Sequence, residues 1–167
     1  QPEDPYGLHD LVEDGHGLAV GTSQGCALTD AGIRCWGDPV GHVVGEYEDD
    51  ELATGETYGV PVPDPVQVVV GEGFACARSR DRRVYCWGYD TEGSLGLGQL
   101  PQDEQHPPRE LPGLRAVDLM ASESAVCARS EDGRSYCWGA NGLGQLGLGH
   151  TQHVVTPTHV PSLDGVV

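Results

Sequence analysis

The tripeptide Cys-Trp-Gly occurs three times, at residues 35–37, 86–88 and 137–139, and this repeat constrains the fold more than any other feature. The three tryptophans are spaced by 51 residues, and a second cysteine lies nine or ten residues before each copy. The segments GCALTDAGIRCWG, ACARSRDRRVYCWG and VCARSEDGRSYCWG align along their whole length. A fixed period of this size is typical of folds in which each repeat is one supersecondary unit that stacks on its neighbours.

The residues between the cysteines of each repeat indicate a β-hairpin. The segments LTDAGI, SRDRRV and SEDGRS are turn-like and are bounded by strand-forming residues. The chain also contains 25 glycines and 12 prolines in 167 residues, with almost no helical periodicity. These features predict an all-β chain of many short strands joined by turns.

The two cysteines of each repeat are symmetric about the middle of the turn, as Cys76 and Cys86 are about Asp81. Such residues face each other across adjacent antiparallel strands, within the Cα separation that a disulfide requires. A zinc site fits less well, because zinc ligands usually come in tight knuckles. Bridged cysteines imply an oxidising compartment, so we expect a secreted, periplasmic or cell-surface protein. The predicted bridges are Cys26–Cys35, Cys76–Cys86 and Cys127–Cys137.

Strand alternation places the aromatic neighbours of each cysteine on the opposite face of the sheet. One large aromatic residue per repeat on one face indicates packing between stacked sheets. The alternative is a ring of tryptophans that binds sugars or quaternary amines. The residues predicted to pack between repeats are Trp36, Trp87, Trp138, Tyr85 and Tyr136.

The segment GLGQLG at residues 142–147 fits the dinucleotide-binding pattern G-x-G-x-x-G. That pattern should open a helix, but the glycines and prolines that follow cannot propagate one. The equivalent stretch of the second repeat, DTEGSLGLG, lacks the first glycine of the pattern. We therefore predict no cofactor and interpret the segment as a turn whose glycines adopt positive φ. The predicted turn glycines are Gly93, Gly96, Gly98, Gly144, Gly147 and Gly149.

The net charge of −17 restricts the partners that the chain can bind. Such a surface repels nucleic-acid phosphates and anionic membranes, and it suits a basic protein partner or divalent cations. The longest apolar run, near residues 68–70, is too short to span a bilayer. A calcium site in the acidic segment 46–56 is an alternative, since hard cations bind carboxylates, although the ordered D-x-D-x-D-G spacing is absent.

The combination of hairpin, YCWG, GQLGLG and a proline-led return resembles the repeat of the regulator of chromosome condensation, over residues 18–167. This resemblance implies a β-propeller of four-stranded antiparallel blades. It divides the chain into an N-terminal extension or partial blade (1–17), repeat 1 with an acidic loop insertion (18–65), repeat 2 (66–115), and repeat 3 with the start of a further blade strand (116–167). Three repeats are fewer than a closed propeller needs, so we expect part of a longer propeller or an assembly of copies, such as two chains making six blades.

The sequence shows no catalytic motif, and the seven histidines hold no repeat position. A metal site at His150, His153 and His159 is a weaker alternative, because that segment is predicted to be a loop. We expect a non-enzymatic extracellular protein-interaction module whose partner, a basic protein or another copy, contacts loops at one propeller face, most of all the insertion at residues 41–59.

Two further functions stay open at the sequence level. One is a self-assembling structural protein of a surface or filament. The other is a carbohydrate-binding or enzyme-inhibitory propeller, since some secreted bacterial proteins with these repeats bind and inhibit enzymes. Paired cysteines and strong acidity depart from the nuclear members that bind histones and DNA, and no loop matches the nucleotide-exchange wedge of the founding protein.

Overall fold

A computed structural model describes residues 17–37, 57–98 and 105–166 of the chain. In these ranges the protein consists of eleven β-strands and one short 3-10 helix, Pro161–Leu163. All strand pairs are antiparallel. The described residues contain no helix with the length and hydropathy that crossing a membrane requires.

The first sheet is a meander of four strands in chain order, which we call blade 1. Its register places residues of adjacent strands directly opposite each other, for example Cys26 opposite Cys35. The four strands are β1 (Leu18–Val20), β2 (Gln24–Thr29), β3 (Gly32–Gly37) and β4 (Thr57–Val60).

The second sheet has seven strands in the order β11-β10-β9-β8-β7-β6-β5 and contains two blades. Residues 105–115 of β8 pair with β7 and complete blade 2, whereas residues 116–121 pair with β9 and begin blade 3. The predicted all-β architecture of four-stranded propeller blades is therefore confirmed. The strands are β5 (Pro65–Val70), β6 (Phe74–Ser79), β7 (Arg83–Tyr89), β8 (Gln105–Ala121), β9 (Ala125–Ser130), β10 (Ser135–Gly139) and β11 (Val154–His159).

Strand β8 tolerates three prolines and a glycine because the part that contains them lies at the edge of blade 2. Pro107, Pro108 and Pro112 fall at positions without a partner in β7, so no ladder hydrogen bond is lost to the missing N–H. Gly113 has φ +76, a conformation that an L-residue adopts at a cost, and it lies near the end of the part of the strand that belongs to blade 2.

The expected start of a further strand after repeat 3 is not found among the described residues. Pro161–Leu163 forms a 3-10 helix, and the residues from 164 to 166 continue as a turn. The corresponding part of β8 is a strand where β9 supplies its hydrogen bonds. No described residue offers such a ladder to residues 164–166, and a lone extended segment gains no stability without one.

The core lies between the blades. One cluster joins Ile33, Tyr58 and Val60 of blade 1 to Tyr85 and Trp87 of blade 2. A second cluster joins the opposite face of blade 2 to blade 3 and is built around residues such as Phe74, Val84, Leu111, Leu119, Val126 and Trp138. Blade 2, which has a described blade on either side, therefore buries both faces of its strands.

Candidate interaction surfaces

The three hairpins are each closed by a disulfide between directly opposed residues. The register pairs Cys26 with Cys35, Cys76 with Cys86, and Cys127 with Cys137. The Cα–Cα distances are 4.0, 4.1 and 4.1 Å, and all six cysteines of the chain are bridged within their own repeat. The bridges lie inside blades, so they fix the hairpins and leave the packing between blades to side chains.

The tryptophans do not share one environment. Trp87 is completely buried against blade 1, and Trp138 is completely buried against blade 2. The Trp138 indole donates a hydrogen bond of 2.9 Å to the carbonyl of Ser94, in the turn that follows blade 2. Trp36 differs from the expectation of burial between repeats, because it is only half-buried. Its ring lies over Gly25, where an added Cβ would come within 2.5 Å of the ring, and no described blade covers its other side.

The tyrosines accompany the tryptophans on the same strand face. Tyr85 is buried in the cluster that contains Trp87, on the opposite side from Cys86. Tyr136 is half-buried, and its ring centroid lies 5.7 Å from that of His159. Because Trp87 and Trp138 present no ring surface to solvent, a sugar-binding ring of three tryptophans is not formed in this arrangement.

The glycine-rich turns are closed loops built around a buried polar side chain. In the turn at residues 90–98, the Asp90 carboxylate accepts a hydrogen bond of 3.0 Å from the Leu95 amide. In the turn at residues 141–149, the Asn141 carbonyl oxygen accepts one of the same length from Leu146. The six predicted turn glycines all have φ between +67 and +82.

In both turns, backbone amides donate hydrogen bonds to carbonyls of the same turn, which argues against a nucleotide-binding site. The Gly96 amide donates to Gly93, and the Gly147 amide donates to Gly144. A phosphate cradle needs free amides at the start of a helix, and no helix follows either turn among the described residues.

Sequence reasoning missed Asp90 and Asn141, although a signal was present. The two residues are 51 apart and each follows the Cys-Trp-Gly motif by the same interval. Both are buried, and Asn141 also donates to the carbonyls of His150 and Gln152. A small polar residue with a carbonyl-type oxygen at a fixed repeat position is the mark of a side chain that closes a turn.

The histidines proposed as metal ligands serve local hydrogen bonds instead. The His153 ring accepts a hydrogen bond from the backbone amide of Asn141. The His150 ring lies 3.3 Å from the side-chain amide nitrogen of the same residue. His159 pairs with Asp164 at 2.9 Å. In the ranges that the structure describes, no three histidine, cysteine or acidic residues converge as a metal site would require. The acidic segment 46–56, for which calcium was considered, lies outside these ranges.

One end of the blades, which we call the glycine-turn face, is formed by the loops at 71–73 and 122–124 together with the glycine-rich turns. A cavity of about 400 Å³ on this face is lined by Glu92, Glu123, Leu143 and His153, among others. The amide of Glu72 donates to the carbonyl of Glu123, which joins the loops of blades 2 and 3. The three glutamates and Leu143 are exposed, so this face offers negative charge beside an apolar side chain.

The opposite end of the blades, the hairpin end, carries several arginines in ion pairs. Arg82 pairs with Glu131 between the hairpins of blades 2 and 3. Arg83 pairs with Asp81 at 2.9 Å and approaches Glu110 at 3.6 Å. The guanidinium charges are thus balanced by neighbouring carboxylates, and such exposed pairs contribute little to stability.

A cavity of about 740 Å³ lies near this end between blades 2 and 3. Its lining includes the apolar residues Leu111, Leu114 and Pro157, with Arg109 and Asp132 among the charged ones. Its lining contains two arginines and two acidic residues, so it does not select a ligand by charge.

Much of the acidity lies outside the described residues. Segments 1–16, 38–56 and 99–104 contain 14 of the 26 acidic residues and none of the nine arginines. The insertion at 41–59, predicted as the main partner contact, lies outside the described residues except for 57–59, which belong to β4.

Comparison with known proteins identifies the repeat. The model of the "Regulator of chromosome condensation (RCC1) repeat" matches residues 81–128 and 132–167, and a second model with the same description matches residues 66–94. The human E3 ubiquitin-protein ligase HERC2 is 33% identical over 153 residues, which cover 84% of this chain and 3% of that protein. The ultraviolet-B receptor UVR8 of Arabidopsis thaliana is 29% identical over 161 residues, which cover 89% of this chain and 35% of the receptor.

Solved structures agree on the fold. Prp20p of Saccharomyces cerevisiae, described with its binding to Gsp1p and histones, superposes with a TM-score of 0.73 at 22% identity, over 86% of this chain and 37% of Prp20p. The chain thus spans well under half the length of each of these relatives. The repeat models and the blade architecture together place this chain in the RCC1 repeat family.

Proposed function

We propose that this chain is an extracytoplasmic, non-enzymatic module that binds a basic protein through its glycine-turn face. The observation that carries the proposal is the charge asymmetry of the blades. Exposed Glu72, Glu92 and Glu123 lie at the glycine-turn face, whereas the hairpin end holds arginines neutralised by ion pairs. An acidic face of this kind attracts a basic partner and raises its association rate.

Three further observations support the proposal. Leu143 is almost fully exposed next to Glu92 and Glu123, and an apolar side chain beside charges is the usual composition of a protein-binding surface. Prp20p, which shares the blade architecture, is described by its binding to other proteins. The three disulfides support secretion, a periplasmic location or the cell surface, because such bridges persist in oxidising compartments.

Selection of peptides displayed on phage tests the proposal. The bait is the disulfide-bonded chain, and the reduced and alkylated chain serves as a counter-selection. We expect enriched peptides with net positive charge and an apolar residue, and we expect their binding to weaken as ionic strength rises.

A pair of charge-matched variants locates the site. Glu92→Gln with Glu123→Gln should weaken binding of the selected peptides at least several-fold. Glu131→Gln with Asp132→Asn removes the same charge at the hairpin end and should leave the affinity unchanged. Equal losses in both variants, or enrichment of acidic peptides, would show that the glycine-turn face is not the site. Recovery of the native chain in a reducing cytoplasmic fraction of its cells would refute the extracytoplasmic assignment.

A further inference from the structure

The turn that follows blade 3 joins a buried side chain to two exposed histidines. We call residues 141–153 the histidine turn. At its centre lies Asn141, which is fully buried, and its side-chain oxygen accepts a hydrogen bond from the Leu146 amide. Its side-chain nitrogen donates to the carbonyls of His150 and Gln152. Both histidines of the turn are exposed, so solvent protons reach their rings.

Each of the two rings accepts a hydrogen bond at its Nδ1 atom from a backbone amide. The Gln152 amide donates to Nδ1 of His150 at 3.2 Å. The Asn141 amide donates to Nδ1 of His153, also at 3.2 Å. A backbone N–H can only donate, so Nδ1 of each ring carries a lone pair and no proton. The closed turn therefore requires both rings to be neutral, with the proton on Nε2.

Protonation of either ring removes an acceptor that the turn uses. In an imidazolium both nitrogens donate, so a protonated Nδ1 would point its hydrogen at the N–H of the amide that it now bonds. The ring then has to turn away and leave that amide unpaired, which costs free energy. The amides concerned belong to Asn141 and to Gln152, whose carbonyl also binds the Asn141 side chain. Proton uptake therefore loosens the closure around Asn141.

The charged groups that face the rings offset only part of this loss. Oε1 of Glu92, in the turn after blade 2, lies 4.0 Å from Nε2 of His153 and attracts a protonated ring. Glu123, in the loop between β8 and β9, lines the same cavity. The Glu92 and His153 side chains are 46% and 45% exposed, so solvent screens their attraction. The two protonated rings would also repel each other, since both lie next to Asn141.

We propose that the histidine turn is a pH-sensitive element that controls the glycine-turn face. Neutral rings keep the turn closed, and proton uptake as the pH falls from about 7.5 to about 5.5 opens it and releases a basic partner. The sign follows from proton linkage. The open turn binds more protons than the closed one, so the closed form gains stability as the pH rises. Release of a partner rests on the function proposed above, whereas opening of the turn does not.

Proton uptake weakens the binding surface in two ways. Leu143 and Gln145 belong to the histidine turn and line the cavity of the glycine-turn face. A loosened turn no longer holds them in place beside the glutamates. A protonated His153 also pairs with Glu92 and competes there with a cationic side chain of the partner. Carboxylates ordinarily titrate well below about pH 5.5, so the histidines are the groups that respond in this range.

NMR spectroscopy of the disulfide-bonded chain tests the opening of the turn. At about pH 7.5, long-range nitrogen–proton spectra should show both rings as the Nε2–H tautomer. The Leu146 amide reports closure, since it donates to the buried Asn141 oxygen. Its protection factor, corrected for the intrinsic effect of pH on exchange, should fall roughly ten-fold by about pH 5.5, while amides of β9 and β10 keep theirs. A proton on Nδ1 of either ring at the higher pH, or unchanged protection of Leu146, would overturn the proposal.

Asparagine variants test whether the two rings are the groups that respond to pH. His150→Asn with His153→Asn keeps a carbonyl oxygen near each Nδ1 position and removes both titrating groups. Leu146 should then have equal protection at both pH values. His159→Asn is the control, because that ring lies at the hairpin end, where it pairs with Asp164, and this variant should keep the full response. A double variant that still loses protection in acid would refute the role of the two rings.

Affinity measurements at both pH values test the release of a partner. The probe is a selected basic peptide without histidine, so that the peptide itself does not titrate in this range. The wild type should bind it at least about three-fold more weakly at the lower pH, and the double asparagine variant should bind it equally at both. Equal binding by the wild type would refute the release. If no basic peptide is selected at all, the proposed function fails, and the Leu146 measurement still decides whether the turn opens.

Discussion

A single buried amide, that of Asn141, shapes the turn whose glycine pattern matches a nucleotide-binding motif. Its oxygen accepts from Leu146, and its nitrogen donates to the carbonyls of His150 and Gln152. The positive φ values of Gly144 and Gly147 let the chain wrap tightly around this side chain. The glycine spacing is thus explained by a turn closed from within, and Asp90 plays the same part 51 residues earlier.

The tryptophans lead to a graded prediction of stability. Replacement of Trp87 or Trp138 with alanine should lower the free energy of unfolding by about 3–5 kcal/mol, because each ring is fully buried between blades. Trp36→Ala should cost clearly less, since half of that ring already lies in solvent. Urea unfolding of the three variants at equal, dilute concentration measures the difference. Equal losses for all three would contradict the difference in burial between Trp36 and the other two tryptophans.

The Ser79–Asp81 pair predicts a pH effect. The Ser79 hydroxyl donates to the Asp81 carboxylate and is the main cause that lowers the pKa of Asp81 below its ordinary value of 3.8. A carboxyl with a depressed folded pKa stabilises the fold above its unfolded pKa, and this contribution is lost as pH falls through the folded value. Ser79→Ala should therefore raise the pKa of Asp81 and flatten the acid dependence of stability below 3.8.

Titration of the carboxyl carbons by NMR measures this effect, with a second aspartate as an internal control. The pKa of Asp132 is lowered mainly by the backbone amide of Arg134, which Ser79→Ala leaves intact. The Asp132 pKa should stay low while that of Asp81 rises. No change at Asp81 would mean that the hydroxyl is not what stabilises its charged form.

At the level of elements, the hairpins were the most predictable part of the sequence. The symmetry of each cysteine pair about its turn gives one register, in which Cys76 faces Cys86, and the structure has that register. The course of β8 was not predictable in the same way. Its three prolines argue locally against a strand, and only the neighbouring strands β7 and β9 explain why residues 105–121 stay extended.

The glycine-turn face was also beyond local sequence rules. Glu92 and Glu123 are 31 residues apart and belong to different blades, and only blade packing brings them to one cavity. The repeat pattern predicts that the loops at one end of the blades vary in sequence, but it does not predict which charged side chains lie together there. Because Glu92 and Glu123 do not follow the 51-residue repeat, the sequence pattern does not indicate that they lie close together.

The disulfides give a prediction about hairpin stability. Replacing Cys76 and Cys86 together with alanine should lower the free energy of unfolding by about 2–3 kcal/mol, since the bridge closes a loop of only about ten residues in the unfolded chain. The Cys127 and Cys137 pair has the same separation, so its removal should cost a similar amount. Denaturant unfolding measures both, with non-reducing peptide mapping as the control for correct pairing. A loss below about 1 kcal/mol would show that loop closure is not what these bridges contribute.

At the scale of the whole molecule, the three blades are not equally connected. Blades 2 and 3 share the backbone of β8 and one continuous core, and the Trp138 indole donates a hydrogen bond from blade 3 to Ser94 in the turn after blade 2. Blade 1 forms its own four-stranded sheet and packs on blade 2 through side chains. A hydrogen bond from the Gln24 side chain to the Phe74 carbonyl also joins the two blades. Continuous strands and cores propagate cooperativity, whereas separate sheets joined by side chains open more independently.

This difference predicts the order in which the blades open. Amides of β2 and β3 should exchange with solvent faster than those of β6, β7, β9 and β10, because blade 1 is a separate sheet that is joined to blade 2 mainly by side chains. Hydrogen exchange read by mass spectrometry on peptides from each hairpin measures this order. Uniform exchange across all three hairpins would mean that the blades unfold as one unit, and that the side-chain contacts between blades 1 and 2 couple them as strongly as the shared strand couples blades 2 and 3.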